Sequence, residues 1–358
     1  MNITVKALNR TALLACAPFL GVMIWLLLSD MVIQLSAEAF PKPVTEQARL
    51  PESDISPAAA GLDLAQETAS QTRESIQRQI KLYQQTNADM AKISSMAASQ
   101  AMKPLQIYDR NITRRLGNAS ATVESDKLRA QLFYIKAENF TAYALKVKLK
   151  SKDAMTMSLG GDELGKAEST LAAVNRHGAV AGVNAGGFAD GRGKRYPLST
   201  TIVDGSYATG FEPPHADLFF VGLNDQNELI GGKFASKAQL DAEKPKFGAS
   251  FVPVLLRGGA PQPIPMKWQT SPKRAPRTVV ANYKDDQLLF LVADGYNESG
   301  SSGATLGEMQ LLLQRYGAVD GYNLDGGGSS SLIFNGRVIN KPSDGVLRKL
   351  PTHFLFFK

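Results

Sequence analysis

Residues 322–330 read Tyr322-Asn323-Leu324-Asp325-Gly326-Gly327-Gly328-Ser329-Ser330, ahead of the strand-like run Leu332-Ile333-Phe334. Three consecutive glycines are a poor way to build a plain hairpin, since each costs roughly 0.5–1 kcal/mol in ordering entropy relative to alanine. They suit a bend whose backbone amides line a pocket and form a nest for a phosphate oxygen. Asp325 at the strand end then faces that pocket. Asn323, Gly326, Gly327, Gly328 and Ser329 become the candidate binding residues, with the Ser329 hydroxyl as donor.

Working outward, the chain has a β texture from about residue 130. Tyr143, Leu145, Val147 and Leu149 alternate with Ala144, Lys146, Lys148 and Lys150, the pattern of a half-buried strand. Residues 218–223 and 288–293 are continuous apolar runs, as inner strands are. Asn335-Gly336 supplies the positive φ values of a type I′ turn and predicts a hairpin. Helices are expected over roughly 163–177 and 305–316. Without regular βαβ alternation, the class is α+β: a mixed β-sheet core with a few helices.

Three further clusters carry possible chemistry. The run 179–183 ends in Asn184 and the small turn Ala185-Gly186-Gly187, and Asn184 and Gly186 could bring backbone close to a ligand. Arg277-Thr278 opens a strand, and an arginine there could grip a phosphate with paired hydrogen bonds. Asp294-Gly295 follows an apolar strand, where loops commonly carry function. Beyond it, Thr305 and Glu308 have capping-box spacing, so Glu308 is either a helix cap or a catalytic carboxylate.

With these clusters in this order, residues 130–358 resemble the phosphodiester glycosidase family. The segments that carry the resemblance are Asn323–Ser329, Arg277-Thr278, Asp294-Gly295, Gly303-x-Thr305-Leu306-x-Glu308, residues 197–205 and the terminal strand from Arg348. One departure is Gly187, where the family usually has the first of two aromatics, so that only Phe188 remains. The resemblance implies hydrolysis of a sugar 1-phosphodiester, with an N-acetylglucosamine-type sugar released and a phosphomonoester left. Glycosidic cleavage commonly uses two carboxyl groups, and Asp294, Glu308 and Asp325 are the candidates. A phosphodiester leaving group needs a cationic clamp more than a strong acid, which suits Arg277 and the 326–328 amides. Asp325 or Glu308 would be base or nucleophile, with Asp294 orienting sugar hydroxyls. Two alternatives use the same pocket: transglycosylation in exopolysaccharide assembly, or a non-catalytic envelope module that binds phosphoglycan.

The N-terminal third reads differently. Residues 12–28 are an apolar run extendable to 35, preceded by Lys6 and Arg10. That is the short end of a bilayer span, with basic flanks that hold residues 1–11 in the cytoplasm. The expectation is a single-pass anchor in a bacterial cell membrane with the catalytic domain outside, or a secreted protein if cleaved after Ala39. Residues 36–61 form a proline-rich spacer. Residues 62–104 suggest a helical stalk. Ile76, Ile80, Tyr83, Asn87 and Met90 follow a seven-residue pattern that could pair two copies of the chain, or could lie on the catalytic domain.

Composition narrows the classes. Of 358 residues 44% are apolar and 20% charged, which excludes a wholly disordered chain. Cys16 is the sole cysteine, so disulfide scaffolds and cysteine zinc sites are excluded. The net charge is +7. Between Lys233 and Arg277 nine basic residues face only Asp241 and Glu243, which favours an anionic partner. A phosphate-bearing glycan fits. Nucleic acid does not, since no recognition motif or aromatic interleaving accompanies the basic stretch. No cofactor is called for, and a divalent metal stays open.

Overall fold

The computed structural model describes residues 56–215, 217–296 and 302–358. The expected cytoplasmic N-terminus, membrane anchor, cleavage site after Ala39 and spacer up to residue 55 lie outside the described residues. Among the described residues no helix is long and apolar enough to cross a membrane.

The described residues divide into two units, 56–87 and 88–358. Helix α1 (Ser56–Leu116) starts earlier and ends later than the expected stalk and continues through Pro104. Proline there removes one backbone hydrogen bond. The helix persists beyond it because its last turns are docked: Ile112 and Leu116 are buried among Phe133, Ile135 and Leu289. Farther back, Ile76, Ile80, Tyr83, Met90 and Ile93 are exposed.

The strands that follow are β1 (Ala119–Glu124), β2 (Leu128–Lys136), β3 (Thr141–Leu149), β4 (Met155–Leu159) and β5 (Ala181–Asn184). Next come β6 (Phe188–Gly191), β7 (Lys194–Pro197), β8 (Ile202–Val203), β9 (Ser206–Tyr207) and β10 (Phe219–Asn224). They continue with β11 (Leu229–Gly232), β12 (Pro245–Phe251), β13 (Val254–Arg257), β14 (Ala260–Pro261) and β15 (Arg277–Asn282). The last are β16 (Leu288–Ala293), β17 (Gly321–Leu324), β18 (Leu332–Phe334), β19 (Arg337–Val338) and β20 (Thr352–Phe356). Four short helices complete the α+β set: α2 (Thr170–His177), α3 (Lys237–Ala242), α4 (Met266–Thr270) and α5 (Leu306–Tyr316).

An eight-stranded sheet runs β1-β2-β3-β16-β15-β17-β13-β14. Two five-stranded sheets, β11-β10-β12-β8-β9 and β19-β18-β5-β20-β4, accompany it. Among the described residues every ladder is antiparallel. One face of the large sheet packs Val280, Phe290, Val292 and Leu324 against Phe219, Phe247, Phe354 and Phe356 of the smaller sheets. The other packs Val279, Ala281, Leu289 and Leu291 under Leu306, Met309 and Leu313 of α5. Cover on both faces is why β16 is apolar without alternation.

It also alters the reading of β3. Ala144 and Lys146, on the face expected to be solvated, are buried, Lys146 to 2% exposure. The end of α1 covers them, and Asp109 supplies the ion pair that Lys146 requires. The helix expected over 163–177 forms only over Thr170–His177, with Ser169 as its N-cap and Gly178 in the left-handed conformation at its end. The hairpin at Asn335-Gly336 forms with φ of 50° and 70°.

Candidate active site

Register brings the candidates to one end of three adjacent strands. Arg277 opens β15 and pairs with Ala293 on β16, while Thr278 pairs with Leu324 on β17. Asp294 and Asp325, each one residue beyond its strand, therefore flank the start of β15. Two strand spacings put their backbones about 10 Å apart. The surrounding chain closes in on the same point. The Gly327 amide donates to Pro276 O (2.8 Å), and Ala275 and Ala304 form a bridge. A Cβ on Gly295 would sit 2.9 Å from the Pro276 ring. Strand alternation turns Arg277 and Asp325 toward the α5 side of the sheet, with Val279 and Ala293, and Asp294 toward the other.

Arg277 is 6% exposed. Its Nε donates to Ala304 O (3.2 Å) and one Nη to Pro272 O (2.8 Å). The remaining Nη makes no hydrogen bond to the described residues and keeps contact with solvent. Among the described residues no carboxylate lies within ion-pair distance of this guanidinium. Burial pulls its pKa down to about 10, so it stays cationic at neutral pH.

Asp325 is half-buried and its backbone is locked. Its N–H donates to Ala185 O (3.2 Å), its carbonyl accepts from Asn184 Nδ2 (2.6 Å), and its Oδ1 accepts from the Gly326 amide (3.1 Å). Asn184 is fully buried, and its Oδ1 also accepts from Thr278 Oγ1 (2.9 Å) and the Ser331 amide (3.0 Å). Asn184 thus fixes the position of Asp325 by tying β5, β15 and the glycine bend together. Gly186 serves packing, since a Cβ there would press on Ala249 and Ser250 of β12.

The bend is a 3-10 turn over Gly327–Ser329, with Gly327 at φ 59°. The amides of Gly326 and Gly327 are engaged within the protein, so the nest expected over 326–328 is largely filled by Asp325 and Pro276. Gly326 lets Pro276 O approach to 2.8 Å of where a Cβ would stand. Gly328 lies directly beneath the Arg348–Asp344 ion pair (Nη to Oδ2, 2.8 Å), and Arg348 also donates to the buried Ser329 Oγ (3.4 Å). Asn323 is 3% exposed and donates to Val252 O (2.6 Å), bracing the loop before β13.

Glu308 takes the cap role in full. Thr305 Oγ1 accepts from its amide (3.0 Å), and its Oε2 accepts from the Thr305 amide (2.8 Å). Its Oε1 accepts from Arg274 (2.7 Å). Burial opposes its charge, but these bonds hold the carboxyl below the usual range. Arg274 also donates to Gly303 O (2.7 Å), so the cap secures the 303–305 segment beside Arg277. Asp294 behaves oppositely. Burial raises its pKa against the bonds from the Lys341 amide (2.8 Å) and Thr141 Oγ1 (3.4 Å).

Arg274, Thr141 and Lys341 carry no local sequence signal, because their partners lie 34, 153 and 47 positions away. Among the described residues no cluster of His, Cys, Asp or Glu forms a metal-binding set.

Comparison with known proteins completes the picture. A prophage-derived protein of Bacillus subtilis, YomE, is 27% identical over 187 residues, or 51% of this chain. Mouse N-acetylglucosamine-1-phosphodiester alpha-N-acetylglucosaminidase is 40% identical over 68 residues, or 19% of this chain. The matches span only 28% and 13% of those proteins' lengths. The catalytic domain of the zebrafish enzyme of that name shares the fold. Its TM-score is 0.55 at 19% identity, with 67% of this chain and 87% of that chain covered. A hypothetical protein from Synechocystis does too, at TM-score 0.53 and 14% identity over 66% and 63% of the chains. The profile described as Phosphodiester glycosidase matches residues 177–357, from the end of α2 through β20 and so across every candidate residue above, and the chain belongs to that family.

Proposed function

We propose that this chain hydrolyses sugar 1-phosphodiesters, with an N-acetylglucosamine-type sugar, in a glycan outside the cell, from a membrane-tethered position. The observation that carries the reading is Arg277: a buried cation without a carboxylate partner among the described residues, at the strand end between Asp294 and Asp325. Its open nitrogen suits an anionic oxygen, and a phosphodiester supplies one.

In this reading Asp325 is the base. A water oxygen bonds to the anomeric carbon while the bond from that carbon to the phosphate oxygen breaks. The electron pair of that bond leaves with the phosphate, giving a phosphomonoester whose charge Arg277 holds. One water proton passes to Asp325 and on to solvent, and the free sugar keeps the other. Asp294 orients sugar hydroxyls. Glu308, with both oxygens engaged, positions the segment that carries Ala304 O.

The test is release of free sugar from an N-acetylglucosamine 1-(alkyl phosphate). The wild-type chain should turn it over, and Asp325→Asn should lose at least about 100-fold in rate, the usual weight of a general base, with its circular dichroism unchanged. Full turnover by the variant would remove Asp325 from this role. A folded wild-type chain without turnover would refute the hydrolase reading.

A further inference from the structure

A cavity of about 360 Å³ opens beside Asp294. One wall comes from the family-matched segment: Asp294, Gly303 and Lys341. The other comes from the β2–β3 hairpin, which precedes the matched residues: Tyr134, Thr141 and Tyr143. The two tyrosine rings meet edge-on, with centroids 5.7 Å apart at 64°. Tyr134 is 54% exposed, an aromatic ring with little of the protein over it. Beyond the rings stands a carboxylate fixed in place by Thr141 Oγ1 and the Lys341 amide. Burial, then the Asp294 charge, holds the Tyr143 phenol neutral and able to donate.

Aromatic faces beside a few fixed polar groups match the two surfaces of a pyranose, whose C–H bonds pack on rings while its hydroxyls bond at the edge. The volume lies in the range of small-molecule sites, about 300–1,000 Å³. Gly303 of the cavity wall adjoins Ala304, whose carbonyl holds Arg277 Nε, so the cavity neighbours the cationic site.

We propose that this cavity is the subsite for the sugar ring whose anomeric bond is cleaved, with Tyr134 and Tyr143 as its platform and Asp294 bonding its hydroxyls. The assignment rests on the hydrolase reading for which ring sits there, but not for whether a pyranose binds. Selectivity for the sugar then comes from β2–β3, a hairpin outside the matched domain.

Two measurements on the full chain separate the claims. Saturation-transfer NMR with free N-acetylglucosamine and glucose should show transfer to sugar C–H protons in the wild-type chain and its loss in Tyr134→Ala, whose exposed position spares the fold. In the hydrolysis assay, Tyr134→Ala combined with Tyr143→Phe should raise KM at least about tenfold and change kcat much less. Hydrolysis with KM unchanged in the double variant, or sugar transfer that survives Tyr134→Ala, overturns the subsite and leaves the hydrolase reading standing. Tyr134-dependent sugar binding without hydrolysis supports the subsite and counts against the hydrolase.

Discussion

His353 offers a quantitative test of how the strands behind the site are held. It is fully buried on β20, and its Nε2 donates to Leu350 O (3.2 Å). Nδ1 then accepts from Thr170 Oγ1 (3.1 Å), and Thr170 in turn accepts from Ser331 Oγ (2.6 Å). A second proton would place a charge in the core and break the Thr170 bond. Burial accordingly lowers the pKa to about 4 from 6.5. In the unfolded chain the ring takes its proton near pH 6.5, whereas the folded protein refuses it until about pH 4. Between those values the unfolded state binds more protons, so stability falls as pH falls, by about 1.4 kcal/mol per unit. The contribution is complete above pH 6.5 and gone below about pH 4, and between pH 7 and 5 it amounts to about 2 kcal/mol. The assay is urea unfolding at pH 7 and pH 5, for the wild-type chain and for His353→Gln, which cannot titrate. Other groups cancel in the difference, including Asp294, whose raised pKa acts in the opposite sense. The wild-type chain should lose about 2 kcal/mol more than the variant over this interval. Equal losses would refute the buried neutral imidazole.

Two further sets of substitutions probe the packing. Asp109→Ala removes the charged partner of Lys146, while Thr113 Oγ1 (3.0 Å) and Gln131 remain as neutral acceptors. It should destabilise by about 2–3 kcal/mol, whereas Asp109→Leu with Lys146→Met should recover most of that loss; a double variant as unstable as the single in thermal melts would dismiss the buried-charge argument. Gly303→Ala would drive a Cβ into the Ala275 backbone at φ 93°, whereas at Gly328 the obstacles are the movable ends of Arg348 and Asp344. The first should cost about 3 kcal/mol and the second about 1, and a reversed order in melting temperature would contradict the close approach of 303 to 275.

What could be read from sequence was local. The capping box needs only Thr305 and Glu308 three residues apart, and the turn needs only Asn335-Gly336; both formed where expected. The inner strand 288–293 announced itself because both of its faces are covered. What escaped was decided by distant partners. Lys146 lies in an alternating pattern that normally means water, and its burial depends on Asp109, 37 positions earlier. The stalk expected to stop at residue 104 runs on through Pro104 to Leu116, where the docking of Ile112 and Leu116 holds its last turns. The triple glycine reads as an amide nest for a phosphate, whereas the Gly326 and Gly327 amides bond within the protein and the groups that come close are Pro276 O and the Arg348–Asp344 pair, at other points of the chain.

The arrangement around Arg277 separates two roles that the motif alone merges. Buried ions are normally paired, because desolvating a cation is expensive and a neighbouring carboxylate offsets it. Glu308 caps the helix that follows the 303–305 segment beside Arg277, yet Arg274 and the helix cap occupy both of its oxygens. Asp294 is held toward the opposite side of the sheet by Thr141 and Lys341. Among the described residues Arg277 is left with two carbonyls, which solvate a guanidinium without neutralising it. Glu308 is thus committed to capping and Asp294 is held on the other side, and among the described residues no carboxylate pairs with Arg277, the most buried arginine. A ligand that brings an anion to this strand end supplies what the chain withholds, and a phosphodiester carries one negative charge next to the bond to be cut. The small residues at this end of the sheet are set by the close packing around the start of β15, since a Cβ on Gly295 or Gly326 would meet Pro276 and one on Gly303 would meet the Ala275 backbone.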